Sequence, residues 1–276
     1  PMVVGDPDQS IYAFRGADLR NILDFQRDYE DAAVYRLELN YRSVGSVLGV
    51  ANAIISQNQS RIEKSLKPVK GEGDRVRLYR AADHRAEAEF VARTIERLLA
   101  EESRGYEEFA VLYRTNAQSR VLEESLRRAG IPGRIVGGVG FYDRREVKDV
   151  LAYARAALNP ADDVAWRRVL NRPKRGIGAT SEQNLAAWAA RNGVPFSSAC
   201  QNAAEVLAGP PAAKRVADFS ELIADLARAS EELPAANFLK FVYDSTGYVE
   251  ALRREGSHEA EGRLENLEEL LNAVAE

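Results

Sequence analysis

Between residues 35 and 136, short strand-like runs take turns with longer stretches of helical period. Tyr35-Arg36-Leu37-Glu38-Leu39 alternates apolar and polar side chains, and Arg75 to Tyr79 does the same around Val76 and Leu78. Such alternation is the signature of a strand, whose successive side chains point to opposite faces. Phe109 to Tyr113 is a continuous apolar run, the pattern of an inner parallel strand buried on both faces. Met2-Val3-Val4 and Arg134-Ile135-Val136 read as shorter strands. Helices are predicted over 19–29, 44–57, 84–102 and 117–129; in the third, Phe90, Val91, Ile95, Leu98 and Leu99 recur at helical spacing. This rhythm predicts an α/β domain with a mostly parallel sheet.

After about residue 140 the texture changes. Helical periods dominate, at 145–158, 162–170, 181–191, 212–230, 236–243 and 263–275, and strand patterns stop. Gly137-Gly138-Val139-Gly140 marks the boundary between the two textures. No internal repeat of solenoid length is present. The opening run Met2 to Val4 passes straight into the loop Gly5-Asp6-Pro7-Asp8. A domain rarely starts in the middle of its core, so a fragment of a longer protein is expected.

Composition narrows the class of protein. The chain has 276 residues, 45% hydrophobic and 29% charged, enough to bury a core and remain soluble. No apolar run reaches the length of a membrane span, and no export signal opens the chain. Cys200 is the one cysteine, which excludes a disulfide framework and a cysteine-based zinc site. His84 and His258 have no ligand spacing around them, so no metal site is expected. A reducing, intracellular compartment follows as the expectation.

The net charge of −4 argues against a uniformly basic nucleic-acid coat. Its distribution is uneven, however. Residues 114–175 carry 14 basic and 7 acidic side chains, whereas residues 176–276 carry 8 basic and 16 acidic. A basic middle between acidic flanks makes either a phosphate-binding stripe or an unevenly charged solvated surface.

Four clusters bear chemistry. The loop from Gly5 to Asp18 follows a strand end, where open α/β sheets bind ligands. It holds Gln9, Tyr12, Phe14 and Arg15, an amide, two rings and a guanidinium that either serve phosphate and bases or simply fill core. Asn40-Tyr41-Arg42-Ser43 again follows a strand, with a ring able to stack and an arginine able to reach phosphate. Tyr113-Arg114-Thr115-Asn116 precedes a helix, where polar donors either favour an anion or cap the helix. Arg172-Pro173-Lys174-Arg175-Gly176-Ile177-Gly178-Ala179-Thr180 sets Gly-Ile-Gly between basic residues and a helix start, as either a backbone-phosphate clamp or a tight turn.

Taken in order, these clusters resemble the UvrD/PcrA/Rep group of superfamily 1 DNA helicases. GDPDQSIYAFRGAD (5–18) is similar to the third helicase motif of the group and LELNYRS (37–43) to its fourth. AVLYRTNAQSR (110–120), RREVKDVLAY (144–153), NRPKRGIGATS (171–181) and ENLEEL (265–270) follow the same pattern, so the resemblance covers nearly the whole chain. It implies a RecA-like (P-loop NTPase type) parallel sheet, incomplete, followed by a mostly α-helical inserted domain. The implied division is 1–30 as the tail of the first motor domain, 31–139 as the leading part of the second, and 140–276 as most of the inserted 2B domain.

The resemblance also implies roles. Gln9 matches the glutamine near the γ-phosphate, Tyr41 the ring on adenine, and Arg42 the arginine finger. Tyr12, Phe14, Arg15, Arg114 and Asn116 match contacts to single-stranded DNA, with Phe14 standing where many relatives carry tryptophan. Lys174, Arg175, Gly176, Ile177, Gly178 and Thr180 fall in the element that grips duplex DNA. The implied cofactors are ATP and Mg2+, and the implied partners single-stranded DNA, single/double-strand junctions, the remainder of the helicase and repair proteins. A cytoplasmic, nucleoid-associated place, DNA repair or replication restart, and 3′→5′ movement go with it. Two departures count. No Gly-Lys pair occurs anywhere, so the phosphate cradle is missing, and no Asp-Glu pair precedes the third motif. This polypeptide alone is therefore not expected to hydrolyse ATP. The alternatives are a DNA-binding or partner-docking module without motor activity, and a piece of a helicase–nuclease subunit.

Overall fold

A computed structural model describes residues 2–9, 24–58, 64–102, 104–136 and 138–275. Its contacts divide the chain into two units, Pro1–Arg80 and Ala81–Glu276.

In the first unit, β1 (Leu39–Asn40) pairs in parallel with β2 (Lys67–Pro68), Leu39 opposite Lys67 and Asn40 opposite Pro68. Lys67 N donates to Glu38 O at 2.8 Å and Val69 N to Asn40 O at 3.0 Å. In a parallel ladder alternate residues donate to one neighbour, so the missing N–H of Pro68 falls where β1 needs no donor. A short helix, α1 (Phe25–Asp28), precedes the pair, its Phe25 ring 4.7 Å from that of Tyr29. The longer α2 (Gly45–Ile55) follows β1. The first N–H groups of α2 are met by the loop after β2, with Gly45 N donating to Gly71 O at 2.7 Å and Ser46 N to Glu72 O at 2.9 Å. Gly73 has φ +68, and a Cβ there would lie 2.6 Å from Val44. Only glycine lets this loop close over the start of α2. Among the described residues of the unit, Leu48 is the one fully buried apolar side chain, while Val47, Val50 and Ile54 of the same helix stay exposed.

The second unit opens with α3 (His84–Glu102) and α4 (Ser119–Arg128), which pack around Ala92, Ile95 and Ile131 with Leu99, Phe109, Val111 and Leu126. Nine helices follow among the described residues: α5 (Arg145–Leu158), α6 (Asp163–Val169), α7 (Ala179–Asn192), α8 (Phe196–Gln201), α9 (Ala203–Val206), α10 (Pro210–Glu232), α11 (Ala235–Thr246), α12 (Tyr248–Glu255) and α13 (His258–Ala275). They enclose one core built on Phe141, Val150, Tyr153, Trp166, Leu185, Phe196, Phe219, Leu226 and Leu267. Pro210 starts α10 at a position whose N–H is unused, and Gly193, Gly247 and Gly256 end α7, α11 and α12 in the left-handed region. Two buried polar ties bind α13 back to earlier elements. Arg120 Nε donates to Glu269 at 2.7 Å, and Asn266 Nδ2 donates to Glu146 at 2.6 Å. None of the described helices is long and apolar enough to cross a membrane.

The helical expectations hold over 84–102 and 145–158 to the residue, and the others shift by a few positions. The predicted helix over 19–29 lies largely outside the described residues, and only Phe25–Asp28 is seen. The short helices α8, α9 and α12 were not expected. The strand expectations need correction. Among the described residues, 2–4, 75–79, 109–113 and 134–136 join no ladder, and of Tyr35 to Leu39 only Leu39 does. The physical reason is that a strand saturates its backbone only opposite another strand, and no described segment stands opposite these. Leu37, Leu78 and Leu112 are accordingly 83%, 97% and 90% exposed. What is observed is a mainly helical chain with a small two-strand parallel sheet.

Candidate nucleotide and nucleic-acid sites

Gln9 ends a 3-10 turn, Pro7–Gln9, and its side-chain amide donates to Asp6 Oδ2 at 2.6 Å. Lys64 bonds the other oxygen of Asp6 and stands 3.5 Å from Asp8. Burial works to raise the Asp6 carboxyl, but Lys64 and Gln9 outweigh it and hold the group below the usual carboxylate range. Gln9 itself is exposed. Tyr12, Phe14 and Arg15 lie outside the described residues.

Tyr41 and Arg42 leave the end of β1 on a turn organised by Asn40. The Asn40 side-chain oxygen accepts Arg42 N at 3.0 Å and Ser43 N at 2.8 Å, the local bonding that asparagine favours in turns. The turn feeds directly into α2. Tyr41 is 67% exposed and Arg42 is exposed as well, so neither ring nor guanidinium is taken up by the core of this unit.

Arg114 and Asn116 are exposed on the turn before α4. The Gln118 side-chain oxygen accepts Arg114 N at 2.8 Å and Thr115 N at 2.9 Å. The helix start is capped, and the turn packs against α13.

The 171–180 loop divides its residues between core and solvent. Asn171 Oδ1 accepts Arg175 N at 2.7 Å and Ile177 N at 3.3 Å, which folds the loop back on itself. Ile177 is a core residue, 2% exposed. Arg175, read from the sequence as a phosphate contact, turns inward instead. Its guanidinium donates to Val169 O and Pro173 O, both at 3.2 Å, and to Tyr153 Oη at 2.5 Å, and it lies over the Tyr153 and Phe219 rings. Lys174, Gly176, Gly178 and Thr180 face solvent. Gly176 has φ +73, and its carbonyl accepts from exposed Arg215 of α10 at 3.0 Å. Gly178 stands before the first turn of α7 with open space where a Cβ would be.

Beneath this loop sits Asp149, fully buried. One of its oxygens accepts Arg168 Nε at 2.7 Å, and the other accepts the Tyr248 hydroxyl at 2.9 Å. Arg172 and Arg145 approach the second oxygen at 3.5 and 3.8 Å. Burial, together with the Asp149 charge, pushes the Tyr248 hydroxyl far up, so it stays a donor. The sequence alone assigns no individual role to Asp149, Tyr153 and Asn171, which lie inside the matched stretches 144–153 and 171–181, or to Arg215, which lies outside them. Of these, only Asn171 carried a local signal, an asparagine ahead of a Pro-containing turn.

The comparisons with known proteins agree along the chain. The model of the UvrD-like helicase C-terminal domain matches residues 35–276, and that of the UvrD/REP helicase N-terminal domain matches residues 1–30. An ATP-dependent DNA helicase PcrA of Bacillus subtilis (strain 168) is 44% identical over 272 residues, 99% of this chain and 37% of that protein. The protein of the same name from Leuconostoc citreum is 42% identical over 278 residues, and one from Staphylococcus aureus (strain NCTC 8325 / PS 47) is 40% identical over 270. This chain thus spans about 37% of the length of these relatives. With the family model matched over most of its length, the chain belongs to the UvrD-like helicase family.

Proposed function

We propose that this chain is a portion of an ATP-dependent DNA helicase, supplying a nucleotide-sensing face and two DNA-contacting surfaces. The observation that carries this reading is the turn after β1, where Asn40 fixes the backbone and leaves Tyr41 and Arg42 side by side and exposed. An arginine so presented can reach across to a nucleotide held on another wall. There it would stabilise the charge that develops on the transferred phosphoryl group. Tyr41 offers the adenine a ring face, and Gln9 offers the γ-phosphate region an amide. These residues fit ATP. Mg2+ is a different matter. Among the described residues no group of three His, Cys, Asp or Glu side chains converges, and Asp6 and Asp8 both face Lys64. In the complete protein the ATP is expected with Mg2+, its main ligands coming from outside this chain.

Single-stranded DNA is assigned to Tyr12, Phe14, Arg15, Arg114 and Asn116, and duplex DNA to Lys174, Gly176, Gly178 and Thr180. Arg175 and Ile177 then hold the duplex loop in shape from within. The fold proposed for the whole is an incomplete RecA-like sheet, at 1–30 and 31–139, with an inserted helical domain at 140–276. The unpaired extended segments support it, since exposed Leu37, Leu78 and Leu112 are apolar side chains suited to a larger sheet. Unwinding in the 3′→5′ sense, a role in DNA repair or replication restart, action at single/double-strand junctions alongside repair proteins, and a cytoplasmic, nucleoid-associated location complete the reading.

The test is Arg42→Ala and Arg42→Lys in the full-length protein. We expect DNA-stimulated ATP turnover to fall by about 10³-fold or more in the alanine variant, the scale of an arginine finger, with nucleotide affinity changed far less. Lysine should rescue little, because it lacks the planar fork. Turnover within a factor of two of the unsubstituted protein would remove Arg42 from the nucleotide site.

A further inference from the structure

We infer that Arg145 and Arg172, gathered with Arg168 around the buried Asp149 carboxylate, form a second phosphate-binding patch that continues the duplex contact of the 174–180 loop; the inference rests on the duplex assignment above. Three guanidinium groups from three elements meet one carboxylate: Arg145 at the start of α5, Arg168 near the end of α6 and Arg172 in the loop. The carboxylate is nearly solvent-free, at 1% side-chain exposure, while the three arginines keep 66%, 30% and 42% of theirs. Asp149 thus works from below as an anchor, and the charged heads reach water above it.

The tight bonds of Asp149 go to Arg168 and the Tyr248 hydroxyl. Arg168 also donates to the Arg145 carbonyl at 3.3 Å. Arg145 and Arg172 are held more loosely, so most of their donors remain available. The neighbouring acids do not cancel the excess. Glu255 feels Arg145 but is itself bonded by Arg263 at 2.5 Å and by Ser257, and Glu146 is occupied by Asn266. Arg167, next to Arg168 in sequence, is paired with Glu182 at 3.0 Å. Four guanidinium groups, counting Arg263, therefore face three carboxylates. The ligand chemistry this suits is a phosphodiester, which takes paired N–H donors from guanidinium forks. Lys174 follows Arg172 by two residues, so a DNA backbone lying on the loop would pass directly onto the patch.

The experiment measures binding of the full-length protein to a duplex bearing a single-stranded tail, across a salt series. It compares Arg145→Gln, Arg172→Gln and Lys174→Gln, with exposed Arg253→Gln of α12 as control. Removing one side chain that neutralises a phosphate should lower the slope of log K against log salt by about 0.9. We expect that drop for Arg145→Gln, Arg172→Gln and Lys174→Gln, and none for the control. If Lys174→Gln lowers the slope but neither arginine variant does, the patch is not a DNA site and the loop assignment stands. If all three leave the slope unchanged, both readings fall. A variant that fails to fold is covered by a second measurement on the unsubstituted protein. Duplex DNA should shield Arg145 and Arg172 from phenylglyoxal, and equal modification with and without DNA would overturn the patch.

Discussion

The Arg175 guanidinium donates to the Tyr153 hydroxyl at 2.5 Å and lies 5.6 Å from the centre of the same ring. Tyr153 in turn donates to the Arg172 carbonyl, so the pair fastens the basic loop to α5 from inside. Tyr153→Phe keeps the packing but takes the acceptor from Arg175 Nη2 and the donor from the Arg172 carbonyl, while Arg175 Nη1 keeps its bonds to Val169 O and Pro173 O. We expect a loss of about 1–3 kcal/mol in denaturant unfolding, the usual cost of leaving buried polar groups unmatched. Arg175→Gln should also destabilise. Because its charge is engaged inside the loop, the salt dependence of duplex binding should hardly move, in contrast to Lys174→Gln. A large slope change in Arg175→Gln would mean that the side chain swings outward on DNA.

Burial of Tyr153 and Cys200 makes stability sensitive to alkali. Desolvation pushes the Tyr153 hydroxyl from its ordinary 10.0 up to about 12, despite the nearby Arg175, and the Cys200 thiol from 9.0 up to about 12. Both folded values lie above the unfolded ones, so the stabilisation is whole below about pH 9. It is lost as the pH climbs toward 12, because the unfolded chain ionises first. Tyr243 and Tyr248 are raised for the same reason and add to the effect. The shift of two units at Tyr153 corresponds to about 3 kcal/mol, and that of three units at Cys200 to about 4 kcal/mol. Unfolding midpoints measured from pH 8 to 11.5 should fall with increasing slope, and Cys200→Ala should flatten the part of the curve nearest pH 9. A flat profile across that range would contradict the burial of these groups.

Arg120 is 2% exposed and bridges α4 to α13, with Nε on Glu269 at 2.7 Å and Nη1 on Glu124 at 3.0 Å. Deleting one partner of a buried pair leaves a charge without compensation, at a cost of about 3–5 kcal/mol. Arg120→Met should therefore lower stability by that order, whereas Arg120→Met with Glu269→Leu should lose less. A double-mutant cycle by chemical denaturation reads the coupling. Additive effects would show that the bridge ties nothing together.

Helices of this chain were legible because a buried stripe repeats within a single segment. The period alone places α3 and α5. Helices α8 and α12 escaped because six and eight residues hold too few turns to show a period. Strands fared worse for a different reason. Alternation at 75–79 records which faces suit burial, but a ladder also needs a neighbour, and that information lies in other segments. The sites follow the same logic. Tyr41 and Arg42 sit where a strand-end turn suggested, because Asn40 builds the turn locally. The inward aim of Arg175 depends on acceptors at Val169 and Tyr153, 6 and 22 residues upstream, which no local pattern could reveal.

Gly176 and Gly178 separate the shape of the loop from its contact with DNA. Gly176 sits at φ +73, and an added Cβ would come 3.2 Å from the Arg215 guanidinium. Alanine there meets both left-handed strain, about 1–2 kcal/mol, and a displaced arginine. Gly178 has φ −80, and nothing stands within 4 Å of its Cβ position. Alanine at 178 should leave the unfolding midpoint within about 0.5 kcal/mol of the original, as expected of an unstrained surface change. If the DNA backbone approaches the N–H groups at the start of α7, that methyl group nevertheless stands in its way. Gly178→Ala is then expected to weaken duplex binding at least several-fold with stability intact, while Gly176→Ala loses both. Unchanged duplex affinity in a stable Gly178→Ala protein would show that the backbone of this loop is not what the DNA touches.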